Sequence, residues 1–183
     1  MGYKIVLEGR ADSFMEELER DFKKAGHEVI EESEEVDIFV YCIHPPACEA
    51  MDYNALLKAY DETALELLRK VSEYLPLLEK GRKKRLCFVT SLDSSINNTR
   101  TGGHWERIVS ASCNMAVKTL FNRLNPLGFT FRLFAVEDYS ELSEASYAAG
   151  YMLQDRSMEE ESHQHSDEKR IVIRDKYERE YPW

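Results

Sequence analysis

The sequence predicts an α/β protein, a parallel sheet covered by helices on both faces in three layers, α/β/α. Three observations predict it. Apolar runs of strand length alternate with patterns that repeat once per helical turn along most of the chain. The runs over residues 36–43 and 86–91 are apolar almost without interruption, as strands buried on both faces are. And 183 residues supply one core of ordinary size.

The first strand is Tyr3-Lys4-Ile5-Val6-Leu7, followed by a turn at Gly9. Asp12 or Ser13 caps a helix whose apolar positions, Phe14, Leu18, Phe22 and Ala25, recur about once per turn, with Glu16, Glu17, Glu19 and Lys23 on the wet face. Gly26 stops it. His27-Glu28-Val29-Ile30 is a second, short strand, and past the acidic residues 31–35 the third runs over 36–43 to His44-Pro45-Pro46, where proline supplies no ladder donor. A long helical pattern over 52–78 passes through Leu56, Leu57, Tyr60, Ala64, Leu67, Leu68, Val71 and Leu75, with Pro76 placed to kink its last turn. The basic run Arg82-Lys83-Lys84-Arg85 reads as a solvated helix end that complements the dipole. A strand over 86–91, a long polar loop over 93–103 and a second long helix over 104–124 follow, ended by Asn125-Pro126-Leu127-Gly128. A strand over 129–136, a helix over 140–154, an acidic connector over 156–169 expected to be flexible, and a last strand over 170–174 complete a single domain over 1–183.

Composition narrows the function. Lys+Arg 24 against Asp+Glu 34 gives a formal net charge of −10, a field that repels nucleic-acid phosphates and anionic lipid, so neither is an expected partner. The mean hydropathy of −0.50 and the lack of an apolar run long enough to span a bilayer or form a signal-peptide core point to a soluble, cytoplasmic protein. Cys42, Cys48, Cys87 and Cys113 show no CxxC spacing and read as reduced and unbridged. His163 and His165 lack an evident third ligand, so no metal site is expected.

The order of elements and several local strings resemble the short-chain dehydrogenase/reductase family, NAD(P)-dependent oxidoreductases with a Rossmann fold. Cys113-Asn114-Met115-Ala116-Val117-Lys118-Thr119-Leu120, followed by Asn125-Pro126-Leu127-Gly128-Phe129, is similar to the family's helix after the catalytic tyrosine and the strand beyond it. Residues 36–43 and 86–91 resemble its fourth and fifth strands, the fifth carrying the catalytic serine near its end, and Ile171-Val172-Ile173-Arg174-Asp175 resembles its last. The resemblance implies a Rossmann-like sheet, here shortened: only five polar residues separate Ile30 from Val36, which leaves no room for the family's intervening helix and strand. In the family a Tyr-x-x-x-Lys pair moves the proton, the lysine lowering the tyrosine pKa. The resemblance places Glu106 at the tyrosine position and Ser110 at the lysine position. It places Ser91 or Ser94 at the serine, and Asp61 or Thr63 near the helix asparagine. The glycine-rich cofactor turn is reduced to one glycine, in Gly9, Arg10 and Ser13, with Glu8 and Asp12 beside it.

Three readings follow from these departures. The first is a non-catalytic relative that acts as a binding or assembly subunit and needs no cofactor. It would pair with itself or with an intact homologue through helices 52–78 and 104–124, where Tyr53, Leu56, Tyr60 and Leu67 face the small residues Ser110, Ala111 and Cys113. The second is an oxidoreductase that retains NAD(P) and uses an altered proton donor, with Ser91, Ser94 and Glu106 as candidates. The third is a small-ligand sensor using the mouth of the sheet near Gly9, His44 and Ser91. A Cys42/His44 pair on one strand face has no identifiable orienting carboxylate and reads as a packed thiol beside a polar strand end rather than as a nucleophile.

Overall fold

The computed structural model describes residues 2–10, 12–31, 33–46, 52–98, 103–154 and 170–183. The strands are β1 (Lys4–Gly9), β2 (Glu28–Val29), β3 (Ile38–Cys42), β4 (Arg85–Ser91), β5 (Thr130–Val136), β6 (Ile173–Arg174) and β7 (Glu180–Tyr181). They form one sheet in the order β2-β1-β3-β4-β5-β6-β7, parallel except for β7. The helices are α1 (Asp12–Lys24), α2 (Tyr53–Tyr60), α3 (Glu66–Lys80), α4 (His104–Leu124) and α5 (Ser143–Leu153). A π-helical turn, Asp61–Leu65, joins α2 to α3.

The three layers follow from alternation along the strands. Val6, Phe39, Tyr41, Phe88, Phe131 and Leu133 face one side and meet Leu67, Val71, Val117 and Phe121 of α3 and α4. Ile5, Ile38, Val40, Cys87, Val89 and Phe134 face the other and meet Phe14, Leu18 and Phe22 of α1 and Ala145, Ala148 and Met152 of α5. Each apolar side chain of α1 removed from water contributes about 1.5–3 kcal/mol. Gly26, at φ +83°, ends this helix by turning its amide to the Lys23 carbonyl and that of His27 to Phe22.

Several expectations are corrected. The long helical pattern over 52–78 is broken by the π turn and continues to Lys80, with Pro76 inside α3. The helix expected over 140–154 starts at Ser143, after a turn in which the Asp138 carboxylate accepts from the Ser140 amide. The last strand shrinks to Ile173–Arg174, and the tail folds back as antiparallel β7. A sharp turn makes this hairpin: Asp175 accepts from the amides of Tyr177 and Arg179 and from the Arg179 guanidinium. Arg85 is not part of a solvated helix end; it opens β4 fully buried and donates to the carbonyls of Met152 (2.8 Å) and Gln154 (3.0 Å), clamping the C-terminal end of α5. Leu67, Ser110 and Cys113, expected on an assembly face, lie in the interior. The side chains exposed on these helices are instead Tyr53, Leu57, Leu65, Leu68, Ile108 and Met115. Cys42, Cys87 and Cys113 are buried free thiols. Cys48, His163, His165 and the connector 156–169 lie outside the described residues.

The strand ends opposite the site are tied together by Asp37. Its buried carboxylate accepts from the Lys4 amide (2.9 Å), the Arg82 amide (2.7 Å) and the Arg82 guanidinium (3.1 Å). Burial pulls its pKa up, and these hydrogen bonds outweigh burial and hold it below the usual carboxylate range. Asp37→Ala is expected to cost about 2–3 kcal/mol, read from urea unfolding at neutral pH. Because the folded pKa is depressed, the contribution is present above the unfolded carboxylate value of about 4 and disappears as pH falls through the folded one. The gap between parent and variant should therefore close in acid.

Candidate functional site

In an open parallel sheet the ligand crevice lies beyond the carboxyl ends of the strands, where the winding reverses. Here β1 has β2 on one side and β3 on the other, so the reversal falls between β1 and β3. Gly9 ends β1 at φ +112°, and a Cβ there would lie 2.3 Å from the Cys42 carbonyl oxygen, so the two strand ends meet backbone to backbone. The Arg10 amide donates to that same carbonyl (3.2 Å), and its guanidinium is paired with Glu62 at 2.8 Å. Ser13 lies exposed in the first turn of α1, and it does not line the hollow that holds Gly9 and Arg10. That hollow, of about 270 Å³, carries Glu8, Asp61, Glu62 and Glu66 against Arg10, Arg69 and Lys70. Glu8 is engaged by Lys70 (3.1 Å) and by the Tyr74 hydroxyl (2.9 Å); burial and this carboxylate push the Tyr74 phenol up to about 12.

The neighbouring cavity, about 290 Å³, lies over the ends of β3, β4 and β5. It brings Ser91, Glu106 and Ser110 together with His44, Arg107 and Tyr139. Ser91 ends β4, and its Oγ accepts from the Asp93 amide, capping a 3₁₀ turn. Glu106 comes from the first turn of α4, where a carboxylate is favoured by the helix dipole. Ser94 does not join them. It is buried to one side, donating to the Ser91 carbonyl and accepting from Asn114.

Two further side chains shape this cavity: Tyr139, which sequence reasoning gave no role, and His44, which it placed at the mouth of the sheet. Tyr139 places its hydroxyl on the carbonyls of Ile43 (2.7 Å) and Val89 (3.2 Å), joining the ends of β3 and β4. Burial drives its pKa well above the ordinary phenol value, so it holds its proton and acts as a strap. His44, exposed at its outer side, packs edge-on against that ring; its pKa is lowered by desolvation and then by the Arg10 charge, partly opposed by Asp138. The Cys42 thiol is fully buried and driven far up by burial, so it is no nucleophile. The single signal for the strap was the spacing of Tyr139 three residues past a buried strand. Thr63, on the π turn, and Thr90 bury hydroxyls with no partner among the described residues.

No family model matches the chain. C-signal of Myxococcus xanthus is 36% identical over 80 residues, 43% of this chain and 48% of that protein, so the match spans about half of the curated relative. Among solved structures, a carbonyl reductase from Pseudomonas aeruginosa PAO1 in complex with NADP superposes with a TM-score of 0.74 at 12% identity or less, namely 11%, over 100% of both chains. A short-chain dehydrogenase/reductase family oxidoreductase from Brucella ovis in complex with a partially ordered NAD gives 0.67 at 14%, over 85% of this chain and 94% of that one. Another from Burkholderia thailandensis gives 0.64 at 13%, over 84% and 85%. The chain has the short-chain dehydrogenase/reductase fold.

Ser91, Glu106 and Ser110, three of the residues that the sequence resemblance singled out, line the one cavity. The switch point is a poor fit to a dinucleotide: it offers one glycine, itself closed against Cys42, its cations Arg10, Arg69 and Lys70 are paired with Glu62, Asp61 and Glu8, and four carboxylates face the hollow. Tyr139→Phe should cost about 1–2 kcal/mol in thermal or urea unfolding, because two buried carbonyls lose their donor.

Proposed function

We propose that this chain is a non-catalytic relative of the short-chain dehydrogenases that works as a binding or assembly subunit. The observation that carries the reading is the cavity at Ser91: it holds Glu106 and Ser110, which the sequence resemblance assigns to the family's proton-transfer pair, and its phenol, Tyr139, is committed to two backbone carbonyls. A tyrosine activated by a lysine needs a charged ammonium beside a titrating hydroxyl. Here the neighbours are a carboxylate and a neutral hydroxyl. The acidic, single-glycine switch point supports the same reading, and the partly matching relative, C-signal, is named for a signal. Calorimetric titration with NAD⁺, NADH, NADP⁺ and NADPH at moderate salt is expected to show no binding. Micromolar affinity for any of the four would favour an oxidoreductase with an altered proton donor and overturn this reading.

The assembly partner is a second copy of the chain. Of the eleven large apolar side chains exposed among the described residues, six lie on the two long helical segments: Tyr53, Leu57, Leu65, Leu68, Ile108 and Met115. Tyr53 and Trp105 bring their rings to 6.3 Å, so α2 and α4 share one outer surface. A two-fold axis needs a self-complementary patch, and an apolar stripe meets that need where two copies of net charge −10 would otherwise repel. Sedimentation should give a dimer at micromolar concentration, and Leu57→Glu with Ile108→Glu should give a folded monomer. A monomeric parent protein would overturn the assembly reading, and a parent that pairs only with an intact dehydrogenase would replace the second copy by that partner.

A further inference from the structure

The cavity at Ser91 is acidic. Among the described residues that line it, Asp93, Glu106, Glu137 and Asp138 stand against a single permanent cation, Arg107. Asp93 takes the Arg107 guanidinium (3.3 Å), Glu137 takes the Lys176 ammonium from outside the lining (3.3 Å), and Asp138 accepts from the Ser140 amide (2.8 Å). His44 adds no positive charge at neutral pH, because desolvation lowers its pKa. Four carboxylates against Arg107 and Lys176 leave an excess of negative charge, and its field draws cations and repels phosphates.

The polar atom that opens into this field is the Ser110 hydroxyl. Ser110 is 3% exposed and lines the cavity. Its hydroxyl has no hydrogen-bond partner among the described residues, and it is not one of the partnerless polar atoms sealed in the interior, so its small exposure is toward the cavity. Glu106 stands one turn earlier on α4, and residues four apart share a helix face with their Cβ atoms about 5–6 Å apart. A carboxylate and a hydroxyl therefore flank one spot. A ligand group that carries positive charge and several N–H donors satisfies both. Pro45 and the rings of His44 and Tyr139 supply apolar wall, and the volume of about 290 Å³ suits a small ligand.

We propose that this cavity binds a small primary amine, its ammonium between the Glu106 carboxylate and the Ser110 hydroxyl and its apolar body against Pro45, His44 and Tyr139. The proposal rests on the reading of the chain as a binding subunit and names the class of molecule bound.

The test is calorimetric titration of the full chain at low salt with benzylamine, benzyl alcohol and benzoate, the same ring carrying a positive, a neutral and a negative group. Benzylamine should bind saturably and about tenfold more tightly than the alcohol, the worth of one charge-assisted hydrogen bond, and benzoate should not bind. Added salt should weaken the amine alone. Glu106→Gln should lower the affinity for benzylamine about tenfold and leave that for benzyl alcohol unchanged. Ser110→Ala should lower it severalfold and leave the melting temperature where it is, since the hydroxyl has no partner to lose; this variant decides the matter if Glu106→Gln does not fold. Equal affinity for the amine and the alcohol, tighter binding of benzoate, unchanged amine affinity in a folded variant, or no saturation at millimolar benzylamine would overturn the proposal. Titration with the four nicotinamide nucleotides decides the non-catalytic reading separately, so either can fail while the other stands.

Discussion

Asp37 sits where three segments of the chain have to agree. One carboxylate accepts from the start of β1 and from the residue that leads toward β4, and it stands on the residue before β3. Those three strands are the centre of the sheet, and their register sets where their far ends stop. Gly9, Cys42 and Ser91 all lie at those far ends. A slip of one residue would turn Phe39 and Tyr41 to the wrong helix layer and move Ser91 away from α4. The site is therefore held from the opposite edge of the sheet, by a polar contact in water's reach on one side and buried on the other.

Most of the fold was legible because the strands are short, apolar and regularly spaced, and because the α1 stripe of Phe14, Leu18 and Phe22 has a single period. What was not legible was set by long-range contacts. Arg85 looks like one member of a basic run; only the arrival of the α5 carbonyls, nearly seventy residues later, makes it an interior residue. The π turn at Asp61–Leu65 leaves the apolar pattern almost intact, so periodicity passes over it. The fold-back at Asp175 depends on a carboxylate that gathers amides from its own turn, a signal too local to read as a strand partner. Within the site, local strings placed Ser91 and Glu106, and the structure brings them into one cavity. Ser94 was a candidate on position alone and proves to be a link between a turn and a helix. Tyr139 was passed over because a tyrosine after a strand carries no mark of where its hydroxyl goes.

The cavity at Ser91 and the crevice at Gly9 differ from a dehydrogenase centre in complementary ways. One gathers Ser91, Glu106 and Ser110 around a phenol that is held by two backbone carbonyls. The other keeps the glycine and uses it to bring two strands together, with the adjoining arginine neutralised by Glu62. In both places the cations present, Arg10, Arg69 and Lys70 in one and Arg107 in the other, have carboxylate partners nearby, as Arg10 has Glu62, Lys70 has Glu8 and Arg107 has Asp93. The polar groups that remain buried around α4, at Thr63, Thr90 and Asn114, have no catalytic partner among the described residues.

The two-residue strand β2 is the outer limit of the sheet on its side, and β3 resumes pairing with β1 after a short connection. On the α1 face the core beside β1 is covered at Ile5, Phe14 and Phe22, while Leu7, Met15, Val29 and Ile30 stay partly exposed around a hollow of about 750 Å³ at this edge. The connection between Ile30 and Val36 is thus a modular joint. A helix and strand spliced in there would widen the sheet by one strand, as a domain grows by accretion at its rim, while the register of the five central strands and the cavity above them stayed as they are.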